Sequence, residues 1–392
     1  MVAGCSMGAG CLAMPLLSAG PNFIFSSIFL IIAGILSYFI AIASLELFIV
    51  YKNNANITTI VNYNFGKFAV LFTMIINGML MYALLSVYMS GGADLLNKTV
   101  FPIFSVKMTT NHALLIFLIL AIPVFTKGAS LVIQSNKIIF WIKLVTFLCV
   151  VSTGLFFLSD RLYSFVLTQI KYIPHAFPVL FGALWFHFLI PIIAKINNYN
   201  RDTCKRVFKI GLILPTTLYI TWVAIMLSLI PRSGANSFYT LLSSHSSVGG
   251  MISLALSNNP HVPRIMKIAL DLFSNIALLT SFLTVGLSTY DYMRDACKIN
   301  QTKIGVILTL FITMTPPVLL VLLFPNSFIM VLQQAIILLM ITNLITFVCL
   351  LKQYKTHDVQ FKITGVYFLM MILIGLIGLQ VVDNFKLLPI YS

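Results

Sequence analysis

The residues best suited to chemistry in this chain are those that interrupt or polarise its apolar runs. Gly4 to Pro15 reads GCSMGAGCLAMP, three glycines and a proline inside one such run. Glycine costs about 1 kcal/mol and interior proline about 3 kcal/mol relative to alanine in a helix, so a helix is expected to break here. In a bilayer the freed backbone groups need protein, water or a ligand as partners. The N–H groups of Ser6, Met7, Gly8, Ala9 and Gly10 are then placed to receive an anionic group. Close packing of helices through small residues is the other use of the same glycines. Gly8 to Ala13 also fits the dinucleotide pattern G-x-G-x-x-G/A, but no strand precedes it and the next carboxylate, Glu46, is too distant.

A second interruption lies between Pro178 and Pro191, where Gly182, Trp185 and His187 fall. A histidine buried alone is more often a hydrogen-bonded packing residue than a titrating one, so a structural or substrate-contacting role is preferred for His187. Lys143 stands six residues beyond Lys137, about 9 Å along a helix. It either snorkels to the membrane surface or places its ammonium as a proton-coupling cation beside Thr280, Ser281 and the first break. Asp271, Ser274, Ser281, Thr284, Ser288 and Asp291 recur at helical spacing, a stripe that includes Thr284 in the cation set and has Asn275 beside it. Hydroxyls bonded back to the preceding turn explain single members of that stripe but not its alignment. Tyr82, Ser86, Ser90 and Asp94 make a second polar wall, in which Tyr82 and Ser86 are candidate substrate contacts.

These residues are carried by a chain of 392 residues that is 60% hydrophobic and 8% charged, with mean hydropathy +1.02. Soluble proteins carry roughly 25% charged residues, so the composition predicts an all-α polytopic membrane protein. The net charge of +15 is spread over short loops rather than gathered on one face, which argues against nucleic acid as a partner. Six cysteines without C-x-x-C spacing indicate neither a disulfide framework nor a metal site. No nucleophile with base and orienter and no phosphate loop is visible, so enzyme chemistry is not expected, and no cofactor is called for.

Eleven spans are predicted, at about 1–19, 23–50, 68–97, 112–126, 137–158, 176–195, 207–230, 265–293, 304–324, 326–351 and 363–382. The first has little chain ahead of its break, so its start is expected upstream of Met1. Fifteen lysines and arginines fall on the even-numbered loops and eight on the opposite side, which predicts a cytoplasmic N-terminus and a periplasmic C-terminus. The long connection 231–264 is either an entrance lid or an ordinary solvated loop. Five spans followed by five more form an inverted pair, about 1–158 and 176–351, with an extra helix at 363–382, all in one transmembrane domain. Interrupted helices at corresponding positions of two such halves point to a transport site at the membrane midplane.

The motifs also resemble a known family. Gly8-Ala9-Gly10-Cys11-Leu12-Ala13-Met14-Pro15-Leu16 with Ser18-Ala19-Gly20, Leu45-Glu46, Leu80 to Leu84 with Tyr88 to Gly91, Lys143, Phe177 to Phe181 with Phe186-His187, and Asp271-Leu272 with Thr280 to Leu283 and Asp291-Tyr292 are similar, in order and spacing, to the bacterial hydroxy/aromatic amino acid permeases. That resemblance runs nearly end to end. It implies the LeuT-type 5+5 fold of the amino acid-polyamine-organocation superfamily, with broken first and sixth helices. It also implies proton-driven uptake of an aromatic amino acid, tyrosine before tryptophan, across the inner membrane. Trp185 and Phe188 stand where the family has glycines beside Phe-His, which keeps a smaller neutral amino acid as an alternative cargo. A membrane sensor of the same fold, binding without transport, is a further alternative. The partners expected are the amino acid, protons and lipid; the sequence leaves oligomeric state open.

Overall fold

The computed structural model describes residues 9–52, 56–97, 109–126, 129–159, 162, 166–234, 237–243, 252, 256, 262–300, 302–324, 328–385 and 388. Among the described residues the regular structure is helical: α1 Ala9–Ser18, α2 Asn22–Val50, α3 Ile57–Leu95, α4 Thr110–Thr126, α5 Ala129–Gly154, α6 Ile173–Ala183, α7 Ile190–Ile196, α8 Arg201–Leu229, α9 Phe238–Ser243, α10 Arg264–Ala296, α11 Lys303–Leu323, α12 Phe328–Gln353 and α13 Ile363–Asn384. Eight segments among them are long and apolar enough to cross a membrane, one being Leu167–Ile196, which contains α6 and α7. The eight do not include α1, α4 and α5, which lie on the first, fourth and fifth predicted spans. Ile35, Phe68, Phe72, Ile307, Phe311 and Met371 lie exposed on the outside of the bundle. In water such an apolar surface would be a liability; in lipid it is the matched solvent.

Helix starts follow local capping. Asn56, Asn200 and Thr302 each accept a hydrogen bond from the backbone N–H three residues on, replacing an orphan donor's water. The Asn56 cap explains why α3 begins well before the predicted span at 68, in a polar stretch that reads as loop. That stretch runs to Gly66, whose φ of 76° breaks the helical path and turns the membrane-crossing part away from it. Asn64 pins the short segment to the end of α12: its Oδ1 accepts from Gln353 Nε2 at 2.8 Å, and its backbone oxygen from Lys352 Nζ at 2.5 Å.

The core is built from α3 against α12 and α10, α5 against α10, α2 against α8 and α6, and α1 against α6 and α8. At the end of the bundle bearing the Lys- and Arg-rich loops, Glu46 of α2 is 1% exposed and receives Arg201 Nε at 3.1 Å and Nη2 at 3.1 Å. The Gln360 N–H donates to the same carboxylate at 3.2 Å, and Arg201 Nη2 reaches Asp358 O at 3.2 Å. Nearby, Tyr354 donates to Phe361 O, and burial with the Glu46 carboxylate close by pushes its phenol up to about 12, so it stays a donor. These bonds tie α2, α8 and the connection between α12 and α13 together.

Candidate functional site

The sixth predicted span is interrupted in the structure. Helix α6 stops at Ala183, residues 184–186 leave helical geometry, a single 3-10 turn covers His187–Leu189, and α7 resumes at Ile190. At the stop, Leu184 N–H donates to Phe181 O at 3.1 Å and Trp185 N–H to Gly182 O at 3.2 Å, tightening the last turn. Pro191 in the first turn of α7 needs no donor there, which makes the restart inexpensive.

Helix α1 lies against this break. A Cβ placed on Gly10 would sit 3.0 Å from Ala183 Cβ and 3.2 Å from its Cα, so the two backbones approach as only glycine allows. From Ala9 to Ser18 the helix runs unbroken through Pro15. Proline has no N–H for the carbonyl four residues back, which is that of Cys11. The buried indole of Trp222 supplies the donor instead, Nε1 to Cys11 O at 2.9 Å. The break expected over residues 4–15 is therefore absent from Ala9 onward; Ser6, Met7 and Gly8 lie outside the described residues.

Trp222→Phe should leave the Cys11 carbonyl buried without a donor, a loss of about 1–3 kcal/mol. Adding Pro15→Ala restores an N–H at the right place, so the double variant should regain most of it; thermal unfolding of the detergent-solubilised variants checks the cycle.

Trp222 packs in a triad of tilted rings with Phe147 of α5 and Phe273 of α10, at centroid distances of 5.6 and 5.9 Å, with Phe147 and Phe273 5.0 Å apart. One turn before Phe147, on the same face of α5, is Lys143. It is only 4% exposed, so it does not snorkel, and its charge acts on the Cys11 thiol of α1. Lys143, the first helix and α10 are thus neighbours. Thr280 is buried, Ser281 half-buried and Thr284 exposed. The hydroxyls of Thr280, Thr284 and Ser288 bond back to Ala277, Thr280 and Thr284 carbonyls, while the buried Ser274 hydroxyl has no partner among the described residues. Half-buried Asn275 donates to Asp271 O at 2.8 Å.

His187 is 7% exposed, with Trp185 and Phe186 rings 4.1 and 5.0 Å from its own. Its Nε2 lies 3.1 Å from Ser37 O of α2; a carbonyl only accepts, so Nε2 carries a proton and Nδ1 of the neutral ring is an acceptor, buried and without a partner among the described residues. Trp185 is buried, whereas Phe188 is 58% exposed and points out of the bundle, so only the first of these rings bears on the break. Gly182 faces Ile336 of α12.

Tyr82 and Ser86 are placed elsewhere. The Tyr82 hydroxyl donates to Ile312 O at 3.0 Å, the carbonyl that Pro316 leaves without its helical donor, and Ser86 donates to Tyr82 O at 2.7 Å. Both serve the contact of α3 with α11. From the 231–264 connection, α9 touches α1 through a segment whose Phe238 is fully buried. Among the described residues no three His, Cys, Asp or Glu side chains gather closely enough to hold a metal ion.

A sequence model of the tryptophan/tyrosine permease family matches residues 1–383. The tyrosine-specific transport system 1 of Haemophilus influenzae is 30% identical over 338 residues, 86% of this chain and 82% of its own length. The low affinity tryptophan permease of Escherichia coli K12 is 26% identical over 84% of this chain and 80% of its own. A protein named glutamine transporter 2 from Aliivibrio fischeri is 24% identical over 77% of this chain and 75% of its own.

Proposed function

Because the chain belongs to the tryptophan/tyrosine permease family, and is therefore a multi-pass membrane permease rather than an enzyme, we propose that it imports an aromatic amino acid together with protons. Tyrosine is the first cargo and tryptophan the second, and the membrane is the bacterial inner membrane, with a cytoplasmic N-terminus and a periplasmic C-terminus. The observation that carries this reading is the interruption after Ala183, which packs against Gly10 of α1, with the buried Lys143 near Cys11 of the same helix. A charged side chain enclosed at membrane depth is costly and marks an ion or substrate path. The substrate carboxylate meets the N–H groups of Ser6, Met7, Gly8, Ala9 and Gly10, and its ring lies near Gly182 and Trp185. His187 Nδ1 accepts from a substrate N–H or O–H, and Asn275 lines the α10 side. Lys143 carries the coupling proton near Thr280, Ser281 and Thr284. The two halves, about 1–158 and 176–351, rock against each other around this fixed site.

Radiolabelled tyrosine uptake into proteoliposomes under an imposed pH gradient tests the proposal. Accumulation should appear only with the gradient and be competed by tryptophan. Lys143→Gln should lose the response to the gradient; a variant with unchanged sensitivity removes Lys143 from coupling. A second reading, transport of a smaller neutral amino acid, is favoured by the bulk of Trp185 in the break and by the relative named for glutamine. Competition by glutamine but not by tryptophan would establish it. Binding without counterflow would mark a sensor.

A further inference from the structure

At the end of the bundle away from the Glu46 cluster, three helices meet on a buried acid and base that the site above does not use. His175, in the first turn of α6, places Nδ1 2.7 Å from Oδ1 of Asp383, near the end of α13. Each residue is 9% exposed. Asp383 Oδ2 accepts from Gln333 Nε2 of α12 at 3.0 Å and from Gln380 Nε2 at 3.5 Å. The other imidazole nitrogen, His175 Nε2, is buried and has no hydrogen-bond partner among the described residues.

We propose that His175 and Asp383 form a proton-binding site, separate from the α1–α6 break, whose occupancy sets how firmly the first half of the interrupted helix is held to α12 and α13. The part concerning transport rests on the permease reading given above. In both protonation states Nδ1–H donates to the carboxylate. A proton taken from solution adds at Nε2, the unpartnered nitrogen, and makes the pair electrically neutral. Its release leaves the carboxylate charge uncompensated among buried groups, which weakens the tie.

Among the described residues few other charges face the pair. The first half of α2, up to Leu36, and α12 as far as Leu344 contain no ionisable side chain, and α1 offers only Cys11. On α13 the remaining one, Tyr367, lies four turns or more away. The 3-10 segment ahead of α6 brings Lys171 and Tyr172, and Arg232 and Lys171 both stand over the Tyr172 ring, at 5.2 and 5.1 Å. The amino end of α6 adds its partial positive charge on the side of Asp383. Among the described residues only one of the two His175 ring nitrogens has a hydrogen-bond partner, which leaves the second to take up a proton. Its helix ends eight residues later at Ala183, against Gly10, so a change in its hold acts on the break through a rigid rod.

The test uses the full chain with D383N, H175Q and the double variant H175Q/D383N, which keeps amide hydrogen bonding without charge and guards against loss of fold. Two profiles are taken between about pH 5.5 and about pH 8, the range in which histidine titrates. One is the thermal midpoint in detergent; the other is the initial rate of tyrosine uptake in proteoliposomes with the outer pH varied. For the proton site, the dependence of the midpoint on pH should flatten in all three variants, not merely shift down in parallel. For its link to transport, the ratio of uptake rates at the two pH limits should fall toward one, by about threefold or more. Parallel midpoint curves would overturn the site. A flattened midpoint curve with an unchanged uptake profile would overturn the link to transport. If the wild type accumulates no amino acid under any gradient, the permease cargo reading fails, and the midpoint profiles still decide whether the site binds a proton.

Discussion

Gly10→Leu should abolish uptake while leaving the protein inserted and folded. The Cβ alone would stand 3.0 Å from Ala183 Cβ, and neither atom can rotate away because both are fixed to helical backbone. The rest of the leucine side chain finds room only if α1 and α6 separate. Overpacking of this kind costs about 1–3 kcal/mol, which a membrane protein with this much packed surface tolerates. Function is less tolerant, because the displacement falls where the substrate is proposed to sit. Misplacement by about 1 Å at a positioned site costs on the order of a hundredfold. Initial uptake rates, normalised to reconstituted protein, should drop by that factor or more, with Gly10→Ala intermediate because it adds one methyl. Near-normal uptake in a well-expressed Gly10→Leu protein would remove the α1–α6 contact from the site.

Arg201→Met should produce the largest loss of stability. Glu46 is enclosed, and apart from the guanidinium the Gln360 N–H is its other donor among the bonds described above. Removing one member of a buried pair strands the other charge, at about 3–5 kcal/mol. Replacing both by apolar residues of similar volume avoids the stranded charge, so Glu46→Leu with Arg201→Met should unfold closer to wild type than Arg201→Met alone. Denaturation in detergent micelles measures both. If the single and double variants were equally destabilised, shape rather than charge would hold this end together.

What the sequence reveals and what it conceals divide along chain distance. The apolar runs mark the helices, and Pro178, Pro191 and His187 mark the interruption, because proline and polarity act on their own turn. Lys143 is legible as a polar residue inside a span, and the structure adds that it is buried rather than turned to the surface. Partners far along the chain are not legible. Trp222 and Cys11 are 211 residues apart, Tyr82 and Ile312 are 230, Arg201 and Glu46 are 155, and His175 and Asp383 are 208. Asp383 sits at a span's end with no sign of its partners, and the polar wall that marks Tyr82 as a candidate substrate contact gives no sign of its bond to a carbonyl of α11. The early start of α3 escaped for a different reason. Asn62, Asn64 and Lys67 lower its hydropathy, and the cap at Asn56 outweighs that.

The indole that serves Cys11 and the phenol that serves Ile312 each owe their position to a proline on another helix. Each pairing leaves a trace that selection can act on. A descendant that lost Pro15 would recover a backbone donor for Cys11 and release residue 222 from its obligation, whereas losing Trp222 first would carry a penalty until residue 15 changed. The order of substitution is thus constrained, and across diverged permeases the identities at 15 and 222, and at 316 and 82, should vary together rather than independently.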